Sequence, residues 1–413
     1  MMLYGLIGEK LGHSFSKIIH ERIASYSYSL MEIEKDKLDD FMRAKAFTAI
    51  NVTIPYKERV IPHLDYIDRE AEIVGAVNTI INKEGKLYGY NTDVYGMNAL
   101  LDHIGISLKG RKVVILGSGG TCKTSLAVAK MNGASEIITV SRTAKEGAVT
   151  YEELYLYHAD AEVIINTTPV GMYPNPDASP VDISKFEGLI GVVDAVYNPL
   201  RTSLILDARE RGIPAEGGLY MLVAQAVRAA EIFTDTKLDE SIIEKVYLEI
   251  IRERESIVLI GMPSSGKSTV GKALSEKLGR ELVDTDALIV EAARMPITEI
   301  FATRGEGAFR DMESDAVKVA ANSTERIIAT GGGAILRHEN VKALRRSGRL
   351  YFLDRPIEML IPTSDRPLSH NVSQIKERYN ERYPIYTSVA DVRIDASPSV
   401  EEVASSIIKE FCK

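Results

Sequence analysis

Two glycine-rich loops, each set between an apolar run and a helical stretch, constrain the fold of this 413-residue chain more than any other feature. The first is Gly117-Ser118-Gly119-Gly120-Thr121, which follows the apolar run 112–116. The second spans Gly261–Thr269, follows the run 256–260 and has the spacing Gly-x-x-x-x-Gly-Lys-Ser. A buried strand that passes through such a loop into a helix turns free N–H groups and the positive end of the helix dipole toward an anion. Each loop therefore predicts a phosphate site in an α/β fold.

The spacing of the other apolar runs predicts how these loops are embedded. Short β runs at 113–116, 136–140, 162–166 and 190–194 alternate with helical stretches, which is typical of a doubly wound parallel sheet of the Rossmann type. A further series of strands and helices begins at Ser256. Two helices are predicted between these series, over 221–234 and 238–254, and we expect both to pack on the first domain.

Charge and composition exclude several classes of protein. The formal charge is −8, and no basic block indicates a nucleic-acid or membrane-surface binder. No apolar run is long enough to span a bilayer. The two cysteines, Cys122 and Cys412, suit a reducing compartment, and the short apolar start Met1–Gly8 lacks a basic signal region. We expect a cytoplasmic enzyme with small-molecule substrates. Its oligomeric state is left open, with a homodimer among the alternatives.

The first half contains residues suited to hydride and proton transfer. Loop 117–121 fits a dinucleotide pyrophosphate. Reduction of a carbonyl also needs an acid for the developing alkoxide, and a Lys57–Asp93 pair can supply one. After the second strand, Ser141-Arg142-Thr143 and the residues up to Lys145 have no acid for a ribose hydroxyl and place two cations, Arg142 and Lys145, in reach of a 2′-phosphate, which favours NADP. Taken alone, a lysine after a strand, such as Lys57, is more often a solvated surface residue. The alternative for the two cations is also a solvated surface position.

Together, these segments resemble shikimate dehydrogenase over residues 1 to about 250. The motifs that carry the resemblance are His13-Ser14-Phe15-Ser16, Asn51–Lys57, Gly75–Thr79, Asn91-Thr92-Asp93, Gly117–Thr121, Asn166–Met172, Asp194–Pro199 and Gly217–Gln225. The resemblance implies that Lys57 and Asp93 form the catalytic pair. It implies a substrate site made of Ser14, Ser16, Thr53, Asn78, Asp93, Tyr197 and Gln225. The implied NADP site consists of Gly117, Ser118, Gly119, Gly120, Thr121, Ser141, Arg142, Thr143 and Gly218.

The second loop predicts phosphoryl transfer. Its spacing is that of a P-loop, with Lys267 beside the β- and γ-phosphates of a nucleoside triphosphate and Ser268 on Mg²⁺. Asp284 and Asp286 follow the next predicted strand, so one carboxylate is available near the metal and one for an acceptor hydroxyl. Asp286 is equally suited to cap the following helix. Gly331-Gly332-Gly333 lets the backbone approach a ligand, or makes a plain turn.

Residues 256–413 resemble P-loop shikimate kinase. The matching segments are Gly261–Thr269, Asp284–Asp286, Ile300–Glu313, Gly331–Gly333, Arg366–Leu368 and Arg382–Tyr386 with Ala390-Asp391. The resemblance implies Lys267 and Asp286 as catalytic residues, and Ser268 and Asp284 as metal ligands. It implies an ATP site of Gly261, Ser264, Ser265, Gly266, Lys267, Ser268, Thr269 and Arg366. It implies a shikimate site of Asp286, Arg310, Gly332 and Arg382, in which the two arginines suit a carboxylate.

The combined interpretation is a fused shikimate dehydrogenase–shikimate kinase that uses NADP, ATP and Mg²⁺. We predict a substrate domain over 1–101 completed by helices over 219–254, a Rossmann-like NADP domain over 102–218, and a P-loop kinase domain over 255–413. The substrates would be 3-dehydroshikimate and shikimate. Two alternatives stay open at this point: a quinate-type dehydrogenase joined to another small-metabolite kinase, and a nucleotide-gated binding protein with one inactive half.

Overall fold

The computed structural model describes residues 3–12, 14–143, 146–361 and 372–412. It divides into two compact units, Met1–Glu249 and Ile250–Lys413. The strands are β1 Tyr4–Gly8, β2 Tyr28–Glu32, β3 Ala49–Val52, β4 Tyr66–Ile67, β5 Thr79–Lys83, β6 Lys86–Tyr90, β7 Lys112–Leu116, β8 Glu136–Val140, β9 Val163–Asn166, β10 Gly191–Asp194, β11 Ala215–Glu216, β12 Ser256–Ile260, β13 Leu282–Asp284, β14 Ile327–Ala329, β15 Gly348–Asp354 and β16 Val392–Asp395. The helices are α1 Ser16–Ile23, α2 Leu38–Ala44, α3 Arg69–Val74, α4 Asp93–His103, α5 Gly120–Met131, α6 Tyr151–Tyr157, α7 Ser203–Glu210, α8 Leu219–Thr234, α9 Ser241–Arg254, α10 Lys267–Leu278, α11 Thr285–Ala293, α12 Ile297–Ala321, α13 His338–Ser347, α14 Val372–Val389 and α15 Val400–Phe411. In the described part of the chain, no helix is both long enough and apolar enough to cross a membrane.

The first sheet of the first unit is mixed. Its strand order is β2-β1-β3-β5-β6-β4. β1 lies parallel to β2 and β3, whereas β5 is antiparallel to both β3 and β6. All four residues of β3 are buried, which is expected for a central strand covered on both faces. The strand ends at Val52, so the polar segment from Thr53 to Lys57 emerges at its carboxyl end.

The second sheet of the first unit is parallel throughout, in the order β11-β10-β9-β7-β8. β7 lies between β8 and β9, so the chain leaves its carboxyl end at the point where the strand order reverses. In sheets of this kind, ligands bind in the crevice at that point. The loop Gly117–Gly119 occupies it and passes into α5, whose first residue is Gly120.

The second unit is built on another parallel sheet, in the order β13-β14-β12-β15-β16. All five residues of β12 are buried. Because β12 lies between β14 and β15, the loop Gly261–Gly266 starts at the switch point of this sheet and continues into α10. α12 is interrupted at Gly305, where φ is 78°, so the turn that includes Arg310 belongs to a helical segment separate from the one before the break.

The predicted α/β fold class is confirmed, and the two helices expected over 221–234 and 238–254 begin at other residues. The first begins earlier, at Leu219, and ends at Thr234 as expected. The helix expected from residue 238 begins at Ser241, because the Asp239 carboxylate accepts a hydrogen bond from the Ser241 amide at 2.8 Å. α8 packs on α1 and α4, and Tyr247 of α9 meets Tyr220 edge-on with ring centroids 5.2 Å apart.

The start of β12 is held by Arg280, which follows α10. Its guanidinium donates to the carbonyl oxygens of Glu255, Arg252 and Glu253 at 2.6, 2.7 and 3.0 Å. These carbonyls include those at the carboxyl end of α9, where a cation also interacts favourably with the helix dipole. The passage from α9 to β12 is thus fixed from within the second unit.

We therefore expect Arg280→Ala to lower the free energy of unfolding of the second unit by about 1–3 kcal/mol, the usual range for a lost charged hydrogen-bond donor. Thermal unfolding of the whole chain, with hydrogen exchange of the β12 amides, measures the effect. Lys277→Ala, an exposed position on α10, is the matched control. Equal stability of the two variants would contradict the assigned role of Arg280.

Candidate active sites

The first unit contains a cleft of about 390 Å³ lined by residues of its first sheet and of segments that connect the strands of the second. It brings together the catalytic candidate Lys57 and every residue predicted to bind the first substrate, namely Ser14, Ser16, Thr53, Asn78, Asp93, Tyr197 and Gln225. Gly120, Thr121 and Gly218 of the predicted NADP site also line it. The cleft therefore places the acid–base candidates next to the start of the dinucleotide helix α5.

Lys57 and Asp93 form an ion pair inside this cleft. Lys57 Nζ lies 2.6 Å from Asp93 Oδ2, and the two side chains are only 21% and 13% exposed. Asp93 is the first residue of α4, and its backbone amide donates to Asn91 Oδ1 at 3.1 Å. Partial burial strengthens such a pair relative to one in bulk water. The ammonium is thus held beside the first residue of α4, within the lining of the cleft.

A buried amide network fixes the orientation of the Asp93 carboxylate. Asn78 Nδ2 donates to Asp93 Oδ1 at 2.9 Å, and the Thr92 amide donates to Asn78 Oδ1 at 2.8 Å. Thr92 Oγ1 in turn donates to Gln225 Oε1 at 3.2 Å. The side-chain amide of Asn78 therefore both donates and accepts hydrogen bonds within the protein. One oxygen of Asp93 is committed to Asn78 and the other to Lys57.

Asn51 is a polar residue of the cleft that the sequence analysis quoted in a motif but did not assign to the site. It is buried, donates to Thr79 Oγ1 at 3.0 Å and accepts from the Tyr28 hydroxyl at 2.7 Å. Its place at the centre of β3, beside β5, explains the contacts. All four residues of β3 are buried, so the alternation of apolar and polar residues along the strand could not distinguish a hydrogen-bonding residue from a core residue.

The phosphate loop of the first unit depends on the absence of side chains. Gly117 has φ of 112°, and a Cβ there would lie 2.7 Å from Thr167 Oγ1. A Cβ on Gly218 would lie 2.2 Å from the Ala195 carbonyl oxygen. Ser118 is exposed, Gly119 precedes α5, and Thr121 lies in its first turn. These features fit a dinucleotide pyrophosphate at the helix N-terminus.

The predicted 2′-phosphate residues follow β8. Ser141 is buried and its amide donates to the Val149 carbonyl at 2.9 Å, whereas Arg142 and Thr143 are exposed. In the described residues of this loop there is no acid from Ser141 to Thr143. An exposed arginine without a competing carboxylate fits a dinucleotide that carries a 2′-phosphate.

The loop of the second unit has the backbone geometry of a phosphate cradle. Gly261, Ser264 and Gly266 have φ of 151°, 65° and 93°. Lys267 is buried, and its ammonium donates to the Gly261 and Met262 carbonyls at 2.8 Å each. Ser265 is also buried, Ser264 Oγ donates to the Ile361 carbonyl at 2.9 Å, and Thr269 is exposed on α10. Arg366 lies outside the described residues.

Ser268 and Asp284 bring two oxygen ligands together. Ser268 Oγ donates to Asp284 Oδ2 at 2.6 Å. The other oxygen, Asp284 Oδ1, caps α11 through the Asp286 amide at 3.0 Å. Asp284, and not Asp286, is therefore the residue that caps α11. A hydroxyl and a carboxylate beside a phosphate loop fit Mg²⁺, which keeps several waters and takes further ligands from nucleotide phosphates.

The three glycines 331–333 are the point where the acceptor residues converge. A Cβ on Gly331 would lie 2.7 Å from Asp286 Oδ1 and 2.6 Å from Glu313 Oε1. A Cβ on Gly333 would lie 1.9 Å from Arg310 Nη1. The Gly332 carbonyl accepts from Arg382 Nη1 at 2.9 Å. Bare backbone here is what allows two carboxylates and two guanidinium groups to approach one another.

Arg310 is oriented by Glu313, a residue that was quoted in the sequence match but not assigned to the site. Arg310 Nη1 donates to Glu313 Oε2 at 2.6 Å, and Nη2 donates to Glu306 Oε1 at 3.0 Å. Burial raises the pKa of Glu313, and the adjacent Arg310 guanidinium opposes the shift. Arg382 Nε is buried without a hydrogen-bond partner among the described residues. The site therefore offers guanidinium donors to an incoming anion.

Fold and site together define the class of each unit: a two-sheet α/β dehydrogenase with a Lys–Asp pair, and a P-loop kinase with an arginine-lined acceptor site. The family model "Shikimate kinase" matches residues 263–412, and the model "Shikimate dehydrogenase substrate binding domain" matches residues 6–80. The chain belongs to the shikimate dehydrogenase family and continues into a shikimate kinase domain.

Individual relatives support this assignment over the first 60% of the chain. A shikimate dehydrogenase (NADP(+)) from Clostridium perfringens is 38% identical over 267 residues, which cover 60% of this chain and 98% of that protein. The crystal structure of shikimate dehydrogenase 1 from Peptoclostridium difficile has a TM-score of 0.55 and 39% identity, covering 60% of this chain and 98% of that one. A chorismate mutase/shikimate 5-dehydrogenase fusion protein from Clostridium acetobutylicum has a TM-score of 0.58 and 38% identity, covering 60% and 97%.

The glycine geometry generates a direct test of the acceptor site. Gly333→Ala puts a Cβ where Arg310 Nη1 lies, so we expect the guanidinium to be displaced. Phosphorylation of shikimate at subsaturating concentration should fall roughly 10- to 100-fold, the value of one charge-assisted contact. Steady-state kinetics measures the fall. Gly307→Ala on α12 is the control, since a Cβ there meets nothing within 4 Å. Unchanged kinetics in Gly333→Ala would contradict this geometry.

Proposed function

We propose that the chain catalyses two consecutive steps of chorismate and aromatic amino acid biosynthesis. The first unit reduces 3-dehydroshikimate to shikimate with NADPH, and the second transfers the γ-phosphoryl group of ATP to shikimate, giving shikimate 3-phosphate. The observation that supports this most directly is the 2.6 Å Lys57–Asp93 pair in a cleft that also borders α5. Membership of the shikimate dehydrogenase family and the match to the shikimate kinase model support the choice of substrates.

In the proposed reduction, Lys57 is the proton donor. Bound NADPH supplies the hydride to the carbonyl carbon of 3-dehydroshikimate. Lys57 Nζ gives a proton to the carbonyl oxygen as it becomes a hydroxyl, and is then reprotonated from water. Asp93 holds the ammonium in place through the 2.6 Å hydrogen bond from Lys57 Nζ to Asp93 Oδ2. Asn78 holds Asp93 in the orientation that this needs.

The remaining residues of the cleft hold the substrate. Ser14, Ser16, Thr53 and Tyr197 supply hydroxyl groups to the lining of the cleft, and Gln225 supplies an amide. Burial raises the pKa of the Tyr197 hydroxyl, so it acts as a neutral hydrogen-bonding group throughout the neutral range. Gly218 lines the same cleft and is assigned a place near the nicotinamide ring.

In the proposed phosphoryl transfer, Arg310 and Arg382 bind the carboxylate of shikimate, and Asp286 accepts the proton of the attacking hydroxyl. Lys267 stabilises the transferring phosphoryl group, leaving the Gly261 and Met262 carbonyls that it bonds in this structure. Mg²⁺ held through Ser268 and Asp284 neutralises charge on the nucleotide phosphates. Gly332 belongs to the proposed acceptor site because its carbonyl accepts a hydrogen bond from Arg382.

The domain boundaries from the sequence are part of this proposal. Strands β1–β6, β7–β11 and β12–β16 form three separate sheets, which supports domains over 1–101, 102–218 and 255–413. The packing of α8 on α1 and α4 supports its assignment to the first domain. We also propose a cytoplasmic site of action. The free thiols of Cys122 and Cys412 support it, since structural disulfides form in oxidising compartments.

One incubation tests the whole assignment. Purified protein is given 3-dehydroshikimate, NADPH, ATP and Mg²⁺, and the products are identified by mass. We expect shikimate and shikimate 3-phosphate. Parallel incubations with quinate and NAD⁺, and with other small polyols as phosphoryl acceptors, test the alternative substrates. Turnover restricted to those compounds would replace the substrate assignment, and nucleotide binding without turnover would indicate a binding protein.

Two variants should separate the steps. Lys57→Ala should slow reduction by about two to four powers of ten, the range for a positioned acid–base group, while added shikimate is still phosphorylated. Lys267→Ala should leave reduction intact and let shikimate accumulate, because the two loops belong to separate sheets. Loss of both activities in either folded variant would show that the two sites are not independent.

Cofactor choice is tested at Arg142. Arg142→Ala should weaken NADPH binding about tenfold or more and leave NADH binding nearly unchanged, since only NADPH loses a charge-assisted phosphate contact. The ratio of kcat/KM for the two cofactors measures this. Arg111→Ala, at an exposed position just before β7, is the control for loss of a surface cation. Equal losses for NADPH and NADH would show that Arg142 does not contact the 2′-phosphate.

A further inference from the structure

Arg355 is placed beside the phosphate loop of the second unit, although nothing above gives it a role. It follows β15 directly, at the carboxyl edge of the parallel sheet. The Cβ that a side chain at Gly266 would carry lies 3.8 Å from Arg355 Nη1. Gly266 immediately precedes Lys267 and the start of α10. The guanidinium therefore lies within van der Waals distance of the position that a side chain at the last glycine of the loop would take.

The same guanidinium also reaches the loop that follows β16. Arg355 Nη1 donates to the Ala396 carbonyl at 3.4 Å, and the Ala396 amide donates back to the Asp354 carbonyl at 3.0 Å. Arg355, which follows β15, thus lies between the phosphate loop that follows β12 and the loop that follows β16, all at the carboxyl ends of neighbouring strands. In open α/β sheets this edge is where nucleotides bind. Arg355 follows β15 on one side of β12, whereas the acceptor residues 331–333 follow β14 on the other side.

The charge of Arg355 is incompletely compensated by the described residues. Its Nε is buried without a hydrogen-bond partner among them, and its single described hydrogen bond, to Ala396, is long. The adjacent carboxylate, Asp354, is bonded instead to Arg393 Nε at 2.6 Å. A buried donor without a partner costs free energy, so such a group commonly has a functional explanation. An anion beside Gly266 would give this donor group a partner.

We propose that Arg355 is a nucleotide-binding residue that contacts the ribose and α-phosphate side of ATP. This rests on the proposed kinase function. The planar fork of an arginine can bridge a phosphate oxygen and a second acceptor, whereas a lysine would act as a single point charge. Arg355 and Lys267 then divide the triphosphate between them, with Lys267 on the β- and γ-phosphates. The Ala396 contact fixes the guanidinium from the opposite side.

Calorimetric titration of the full chain with MgADP tests the proposal, with NADP⁺ present at saturation to occupy the first unit. Arg355→Met, which keeps length and removes charge, should weaken ADP binding about tenfold or more, the usual value of a charge-assisted contact. Arg355→Lys should fall between wild type and Arg355→Met. The KM for shikimate should stay within twofold in both. Arg393→Met is the matched control, since Arg393 pairs with Asp354 and should leave ADP affinity unchanged.

Thermal unfolding without nucleotide distinguishes binding from folding. We expect the unfolding temperatures of Arg355→Met and Arg393→Met to be similar, and the stabilisation by MgADP to be smaller only for Arg355→Met. Unchanged ADP affinity in Arg355→Met, or a loss matched by a comparable loss in Arg393→Met, would overturn the proposal. If ADP binding depends on Arg355 but the wild-type chain does not phosphorylate shikimate, the nucleotide-binding role of Arg355 stands. The assignment of shikimate as the phosphoryl acceptor is then rejected.

Discussion

Both active sites depend on one constraint, a buried parallel strand that passes into a helix N-terminus through a loop that requires glycine. β7 and β12 are the strands at the switch points of their sheets, and each must end where N–H groups become available. Gly117 and Gly261 adopt φ of 112° and 151°, which other residues rarely reach. With the loops placed, the positions of Lys267 and of the cleft beside α5 follow from chain continuity.

The catalytic geometry adds a second layer to this scaffold, in which polar groups orient one another. Asp93 has one oxygen on Lys57 and the other on Asn78. Arg310 is held in the same manner by Glu313. In both sites a cation with a proposed role, Lys57 as proton donor and Arg310 as carboxylate binder, is paired with a partly or wholly buried carboxylate. Such pairing reduces the motion of a long side chain and so lowers the entropy lost when substrate binds.

The sequence predicted the parts of the structure that local pattern determines. Both loops, the strands that precede them and the Lys57 and Asp93 segments could be located, because strand ends and glycines are visible along the chain. The β5–β6 hairpin was not predicted. Its turn, Glu84-Gly85, has φ of 53° and 81°, and glutamate at the first position lacks the usual Asn or Asp signal. The Arg310–Glu313 pair depends on where α12 restarts after Gly305, and the position of Arg355 depends on packing between β15 and β16. Neither arrangement could be predicted from the spacing of residues along the chain.

The three glycines at 331–333 have a consequence for how the acceptor site of the kinase can change over evolution or in the laboratory. Their contribution is empty volume, since a single methyl group at Gly331 or Gly333 would occupy the space of Asp286, Glu313 or Arg310. A side chain could be added to that wall of the site only if the end of one of these three side chains moved away. A kinase with a new acceptor must therefore arise through changes to the opposing side chains, while this stretch of backbone stays as it is.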